Sequence, residues 1–326
     1  MITINTNSFD PYYNLAVEEY FLTNNDEDVF MLWRNNNTAV IGKNQNVYAE
    51  INIPYAKEKN ITVVRRITGG GAVYHDLGNV NYTFITSREK SGVLNFSYFT
   101  SPIISVLSQY GINAELSGRN DILYNGMKFS GNAQYSTDSR TLHHGTLLFD
   151  SDLSIMPNLL TVDPDKIKSK SIKSVKSRVS NLKPLFENSD IAVEDFMNLI
   201  GDHVQKMYRP TAHTITAAEN EKILKLREKY ASHDWTFTPR GTYENRAKKY
   251  FSFGLVDIRY TVKCAVITHI GIYGDFFGTK DTAEIENLLT GVRHERHAVT
   301  AALENIKIEN YIGSMTKADF INMLFE

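Results

Sequence analysis

Apolar and polar positions change period several times along the chain, and each change predicts an element. After Asp10-Pro11, Tyr12, Leu15, Ala16 and Glu19 fall on one helical stripe, and Tyr13, Val17, Tyr20 and Phe21 on another. An acid followed by proline is a helix start, because the side chain caps free N–H groups and proline needs none. That helix should end near Asn24-Asn25-Asp26. Phe30 to Trp33 and Ala39 to Ile41 read as strands, with Arg34 to Asn37 as the turn between them. A short helix from Pro54 to Lys59 leads to Ile61-Thr62-Val63-Val64, whose β-branched side chains favour a strand. From Asn79 to Thr86, Val80, Tyr82 and Phe84 alternate with Asn81 and Thr83, the pattern of a half-buried strand. Phe99 to Tyr110 returns to helical spacing and stops at Gly111.

The second half begins with Asn125-Gly126 between two short runs, a strong signal for a two-residue hairpin. That turn pairs Tyr124 with Met127, Leu123 with Lys128 and Asp121 with Ser130. Leu142 to Asp150 reads as a strand, and Ala192 to Met207 and Ala217 to Tyr230 as helices. Trp235 to Tyr250 carries Pro239, Gly241 and several charges and reads as a linker. Gly254 to Tyr260 and Val262 to Tyr273 look like strands; Ile285 to Leu289 and Val299 to Leu303 look helical. Residues of about 250 to 326 therefore read as a small α+β unit.

At 326 residues there is room for one large and one small domain. The formal net charge of -2 argues against a general nucleic-acid binder. A single cysteine, Cys264, excludes an internal disulfide and a Cys-rich zinc site. Its apolar strand context predicts a packed core thiol. The first residues lack a basic-then-apolar leader pattern, and no apolar run approaches the ~20 residues of a membrane span. The expectation is a cytoplasmic protein without membrane contact.

Candidate chemistry concentrates in Arg65-Arg66-Ile67-Thr68-Gly69-Gly70-Gly71-Ala72-Val73-Tyr74-His75-Asp76. Three glycines can adopt φ > 0 and let a ligand lie against bare backbone. Arginine offers planar, permanent donors to carboxylate or phosphate. Together they describe a site for a small anion, with a solvated glycine hairpin as the plainer alternative. The stretch matches neither the dinucleotide G-x-G-x-x-G nor the phosphate-loop pattern. In the hairpin, Asp121 and Lys128 share a sheet face, which fits either a site or a surface ion pair. His143 and His144 are adjacent, so on a strand they point to opposite faces and cannot chelate one metal. Lys166, Lys168, Lys170, Lys173, Lys176 and Arg178 sit among serines, either as a solvated loop or as a basic flap over phosphates.

These segments, in this order, resemble the lipoate–protein ligases. The resemblance is carried by the Arg65–Asp76 stretch and by Asp10-Pro11-Tyr12-Tyr13-Asn14-Leu15-Ala16-Val17-Glu18-Glu19. Gly42-Lys43-Asn44-Gln45-Asn46 and Gly118-Arg119-Asn120-Asp121 add to it, as do Lys128-Phe129-Ser130-Gly131-Asn132-Ala133 and His143-His144-Gly145-Thr146-Leu147-Leu148. Ser174 to Val179 resembles the family's basic loop. The resemblance implies an α+β fold: a mixed-sheet catalytic domain of the biotin/lipoate ligase type with a small α+β C-terminal domain. The divisions expected are 1–240 for the catalytic domain, 241–249 for a linker and 250–326 for the accessory domain.

It also implies a reaction. Lipoate and ATP give lipoyl-AMP, and the lipoyl group passes to a lysine of an acceptor protein. The implied acceptors are lipoyl domains of 2-oxoacid dehydrogenases and the glycine-cleavage H protein. Lys128 is implied to hold acyl and phosphate oxygens. Asp121 keeps it oriented and is a candidate to help deprotonate the incoming lysine. Arg65, Arg66, Gly69, Gly70, Gly71, Ala72, Val73, Tyr74, His75 and Asp76 are expected to bind substrate or adenylate. So are Asn120, Ser130, Gly131, His144, Gly145, Thr146, Lys176 and Arg178. Mg2+ would travel on the ATP phosphates, Asp121 being the one side chain considered for it. The alternatives are an ATP-independent lipoyl or octanoyl transferase of the same fold and a lipoate-binding sensor. The thiolate route used by many transferases is disfavoured, because Cys264 lies outside the expected catalytic domain.

Overall fold

A computed structural model describes residues 1–161, 179–188, 190–237 and 242–326. Its strands, in chain order, are β1 (Ile2–Ile4), β2 (Val29–Trp33), β3 (Thr38–Ile41), β4 (Thr62–Arg65), β5 (Val73–His75), β6 (Asn79–Ser87) and β7 (Glu115–Ser117). There follow β8 (Asp121–Tyr124), β9 (Met127–Ser136), β10 (Arg140–Leu148), β11 (Thr211–His213), β12 (Asn245–Phe251), β13 (Gly254–Lys263) and β14 (Val266–Gly274). Eight strands form one sheet in the order β11-β1-β2-β6-β10-β9-β8-β7. β1 runs parallel to both neighbours; the other pairings in that sheet are antiparallel. A second sheet, β4-β3-β5, is also mixed, and β12-β13-β14 is an antiparallel C-terminal sheet. The α+β class with a large mixed sheet is what the family resemblance implies.

The helix Pro11–Asn24 starts where its cap signals place it, with Asp10 accepting from Tyr12 N. It buries Leu15, Ala16, Val17 and Phe21 against Val29, Met31 and Ile85 of the main sheet. Each large apolar side chain removed from water there contributes about 1.5–3 kcal/mol. The other face is covered by the helices Phe96–Ser108 and Val193–Tyr208, through Phe99, Ile103, Phe196 and Ile200. A separate core joins β13 and β14 to the helices Ala283–Leu289, Arg296–Ala302 and Lys317–Phe325.

Three expectations change. β6 is not half-buried: Asn79 to Thr86 are all buried, because both sheet faces are covered there. Its polar alternate residues therefore face protein interior rather than solvent. The stretch expected as a linker carries β12 from Asn245, whose residues pair with β13. Cys264 is exposed rather than packed. Lys263 opposes Val266, leaving Cys264 and Ala265 as a two-residue turn with φ of 50° and 61°. The apolar run was two strands meeting at a tip, and the thiol sits on the tip. Among the described residues no helix is long and apolar enough to cross a membrane.

Candidate active site

A cavity of about 210 Å³ is lined from both mixed sheets, from Leu15 of the first helix and from Tyr250 and Asp275 of the C-terminal sheet region. That is far more than one water needs. Strand register builds its floor. Trp33 opposes Asn81, and Asn81 opposes Thr146. Thr146 Oγ1 in turn accepts from Gly131 N at 3.1 Å. One row thus crosses β2, β6, β10 and β9. Leu15, Trp33, Val40 and Val73 make one part apolar, while Asn120, Asp121 and Lys128 make another polar.

Lys128 Nζ lies 2.7 Å from Asp121 Oδ1, with each side chain about a third exposed. The hairpin delivers this pair by a different register from the one expected. Leu123 does oppose Lys128, but a bulge follows, so Ile122 opposes Ser130 and Asp121 opposes Gly131. One extra residue on β9 swaps the faces beyond it. Lys128 and Gly131 therefore line the cavity, and Ser130 turns into the core, fully buried, where Asn132 Nδ2 donates to it. Gly131 matters for space: a Cβ there would sit 3.0 Å from Lys128 Nζ. Asn120 is fixed by donating to Asn132 O at 2.7 Å. Ser180 N donates to Lys128 O, and Val179 bridges to Lys128, so the chain after residue 178 lands on the same strand. Lys176 and Arg178 lie outside the described residues.

The two arginines separate. Arg66 lines the cavity, 5% exposed, and donates to Thr68 Oγ1 and to the carbonyls of Val40, Gly69 and Gly71. Burial pulls its pKa down to about 10, with Glu18 pulling the other way, so it stays protonated at neutral pH. Arg65, next in the strand, points to the opposite side. Its guanidinium donates to the carbonyls of Gly42, Lys43, Gln45, Trp235 and Thr236, away from the cavity. Arg65, expected beside the anion with Arg66, is thus placed against the Gly42–Asn46 turn and the Trp235–Thr236 backbone.

The glycines separate as well. Gly71 lines the cavity, but Gly69 and Gly70 meet other protein. A Cβ on Gly69 would come 2.5 Å from Phe276 O, and one on Gly70 (φ 89°) 3.1 Å from the Phe277 ring. These two positions are small because the C-terminal sheet region packs on them. Ala72, Val73 and His75 face the cavity. Tyr74 lies between them on β5 and points away, donating to Asn37 Oδ1. Asp76 accepts from Gly78 N and Asp152 N, a support of the turn.

Beside the cavity runs a chain of hydrogen bonds. Thr68 Oγ1 accepts from Arg66 Nε and is hydrogen-bonded to His144 Nε2 at 2.9 Å. His144 Nδ1–H then donates to the buried Glu18 carboxyl at 3.0 Å. Glu18 also accepts from Thr83 Oγ1, which accepts from Trp33 Nε1. His75 is held neutral: burial, helped by Arg66 and His144, pushes its pKa down to about 3. His143 faces the opposite side of the sheet, stacked on Phe99, as adjacency on a strand requires. Among the described residues no group of three His, Cys, Asp or Glu could hold a metal.

Residues 10–205 match the model of the lipoyl protein ligase A/B catalytic domain, and residues 241–324 that of the bacterial lipoate protein ligase C-terminus. The lipoate-protein ligase LplJ of Bacillus subtilis is 40% identical over 327 residues, 98% of each chain. Lipoate–protein ligase 1 of Staphylococcus aureus is 40% identical over 323 residues, again 98% of each. The chain belongs to the lipoate–protein ligase family. Among solved structures, P. falciparum LipL1 in complex with lipoate is similar, with TM-score 0.80 and 26% identity, covering 98% of this chain and 97% of that one.

As a ligase of this family, the chain shows site residues that the motifs alone did not single out. Glu18 was read only as part of a helix signature, and its burial depends on partners from β6 and β10. Trp33 read as one more strand aromatic. Arg119 lines the cavity and donates to the carbonyls of Phe253 and Asp275, with its guanidinium 4.5 Å over the Phe277 ring. Gly274 N donates to Asn44 O, and Lys43 pairs with Asp281 at 2.8 Å. The cavity is therefore completed by Tyr250 and Asp275, more than a hundred positions from the motifs, which no local pattern announces.

Proposed function

We propose that the protein activates free lipoate with ATP and transfers the lipoyl group to a specific lysine of an acceptor protein. The observation that carries this is one cavity with an apolar arm beside Leu15, Trp33, Val40 and Val73 and a mouth holding Lys128 paired to Asp121. An apolar acyl tail suits the arm, and its carboxylate then meets the ammonium. The likeness to a family member that was solved with lipoate supports the same choice.

In the first step a carboxylate oxygen bonds the α-phosphorus of ATP and pyrophosphate leaves. Two anions approach each other, so fixed cations lower the barrier. Lys128 meets the oxygens where charge builds, and buried Arg66 holds the Gly69–Gly71 loop by its carbonyls. The rigid neighbours of Lys128 add to the effect, since a preorganised cation costs little to align. Mg2+ accompanies the nucleotide phosphates and neutralises their charge. In the second step the acceptor amine attacks the acyl carbon, AMP leaves, and one proton is released. The acceptors we propose are lipoyl domains of 2-oxoacid dehydrogenases and the glycine-cleavage H protein, in salvage of lipoate in the cytoplasm. No cysteine lines the cavity, which is how a thiolate transferase would differ.

The test combines the protein with lipoate, ATP–Mg and a purified lipoyl domain and follows the domain's mass. A gain of one lipoyl group that requires ATP supports the proposal. Modification without ATP, from an acylated donor protein instead, would replace it with transfer.

A further inference from the structure

The chemistry above places a cation at one end of the reaction only. Lys128 meets the acyl and α-phosphate oxygens, while Arg65 and Arg66 give their N–H groups to backbone carbonyls. Arg119 gives both terminal nitrogens to the carbonyls of Phe253 and Asp275. Yet when the bond between the α-phosphorus and the bridging oxygen breaks, its electron pair stays with pyrophosphate, which leaves as a concentrated anion. Donors fixed where that charge collects would lower the barrier.

The C-terminal sheet presents such donors. Tyr250 of β12 lines the cavity beside Arg119 and Asp275, and its hydroxyl has no hydrogen-bond partner among the described residues. Burial lowers the Arg119 pKa while Asp275, Tyr250 and Asp121 pull it back up, so all three lie within electrostatic reach of one guanidinium. Asp275 itself is buried, its carboxylate accepting from Leu255 N at 2.8 Å. Side chains two apart on a strand share a face. Lys248 and Arg246 therefore lie on the Tyr250 side of β12, ~7 Å and ~14 Å along the strand from it. The register with β13 sets Asp257 opposite Lys248 and Arg259 opposite Arg246 on that face. Asp257 binds both arginines, Arg246 at 2.8 Å and Arg259 at 2.7 Å. One carboxylate thus stands among three cations, and within these strands the face is positive. The other face, with Val256 and Ile258, is packed in the C-terminal core. A positive face that begins at a cavity hydroxyl draws an anion along it.

We infer, resting on the ligase reading, that this face of the C-terminal sheet receives the departing pyrophosphate: the Tyr250 hydroxyl donates to it and Lys248 balances its charge. Both residues then act on the first step alone, because pyrophosphate has left before the acceptor amine attacks. A residue that only held the fold would affect both steps.

The experiment measures lipoate-dependent ATP–pyrophosphate exchange and, separately, transfer from supplied lipoyl-AMP to a lipoyl domain. It compares the parent with Tyr250→Phe and Lys248→Gln. Tyr250→Phe should raise the KM for pyrophosphate about tenfold, the weight of a hydrogen bond to a charged group. Lys248→Gln, on a more open part of the face, should raise it about fivefold. Transfer from lipoyl-AMP should match the parent in both. Unchanged exchange in both variants overturns the inference and leaves the ligase reading standing. An equal fall in exchange and transfer also overturns it, since the residues are then structural. A folded parent without any exchange overturns both readings. If one variant does not fold, the other decides alone.

Discussion

Lys128 and Asp121 pair at 2.7 Å on a partly exposed face, so the pair contributes little to folding, ~0–1 kcal/mol. Replacing Lys128 by alanine should leave the urea midpoint nearly unchanged while adenylation falls on the order of 10²–10³-fold. Equal loss of both would mean that Lys128 is structural. His75 supports a second prediction. Burial holds its folded-state pKa near 3, below the unfolded value near 6.5. The stabilisation is fully present above pH 6.5 and is lost as pH falls towards 3, because only the unfolded chain takes the proton. Between pH 7 and 5 the loss is about 2 kcal/mol for this group, and buried His143 shifts in the same direction. Urea midpoints at the two pH values should show the fall, and His75→Gln should make it shallower. A parallel fall in the variant would assign the effect to other groups.

At the scale of elements, period and caps carried most of the fold. The first helix, the strands leading to the glycine turn and the Asn125-Gly126 hairpin lie where their residues predicted. What escaped was set by neighbours. The β9 bulge moves Ser130 away from the cavity, and nothing in Lys128-Phe129-Ser130-Gly131 marks the extra residue. Tyr74 points away because β5 alternates, which the motif conceals by placing Val73, Tyr74 and His75 side by side. The glycine turn was legible as a place of close approach, but what approaches Gly69 and Gly70 is protein. A related constraint falls on Gly42, whose added Cβ would lie 2.1 Å from Gly70 O. Gly42→Ala should therefore lower stability by about 3 kcal/mol, as overpacking against backbone does. Gly111→Ala, at φ 75° in open space, should cost about 1 kcal/mol. Chemical denaturation of both variants checks the order; the reverse would contradict the crowding.

At the scale of the molecule, the site depends on contacts between the main sheet and the C-terminal region. Phe277 packs with Phe96 and Ala133, beneath Arg119 and beside Gly70. Truncating it removes about 3–5 kcal/mol of buried packing. Phe277→Ala should let the C-terminal region melt in a separate, earlier calorimetric transition, where the parent melts in one. A single unchanged transition would show that these contacts do not couple the two parts. The cavity's acid and base residues were legible in sequence because they travel in short motifs. Its closure by Tyr250 and Asp275 was not, because it arises from packing across the whole chain.

The most direct measurement is lipoate-dependent exchange of labelled pyrophosphate into ATP, with Lys128→Ala alongside. Exchange in the parent that needs lipoate, and its loss in a variant that still folds, is the expected result. A folded parent that binds lipoate without any exchange would contradict adenylation at this cavity.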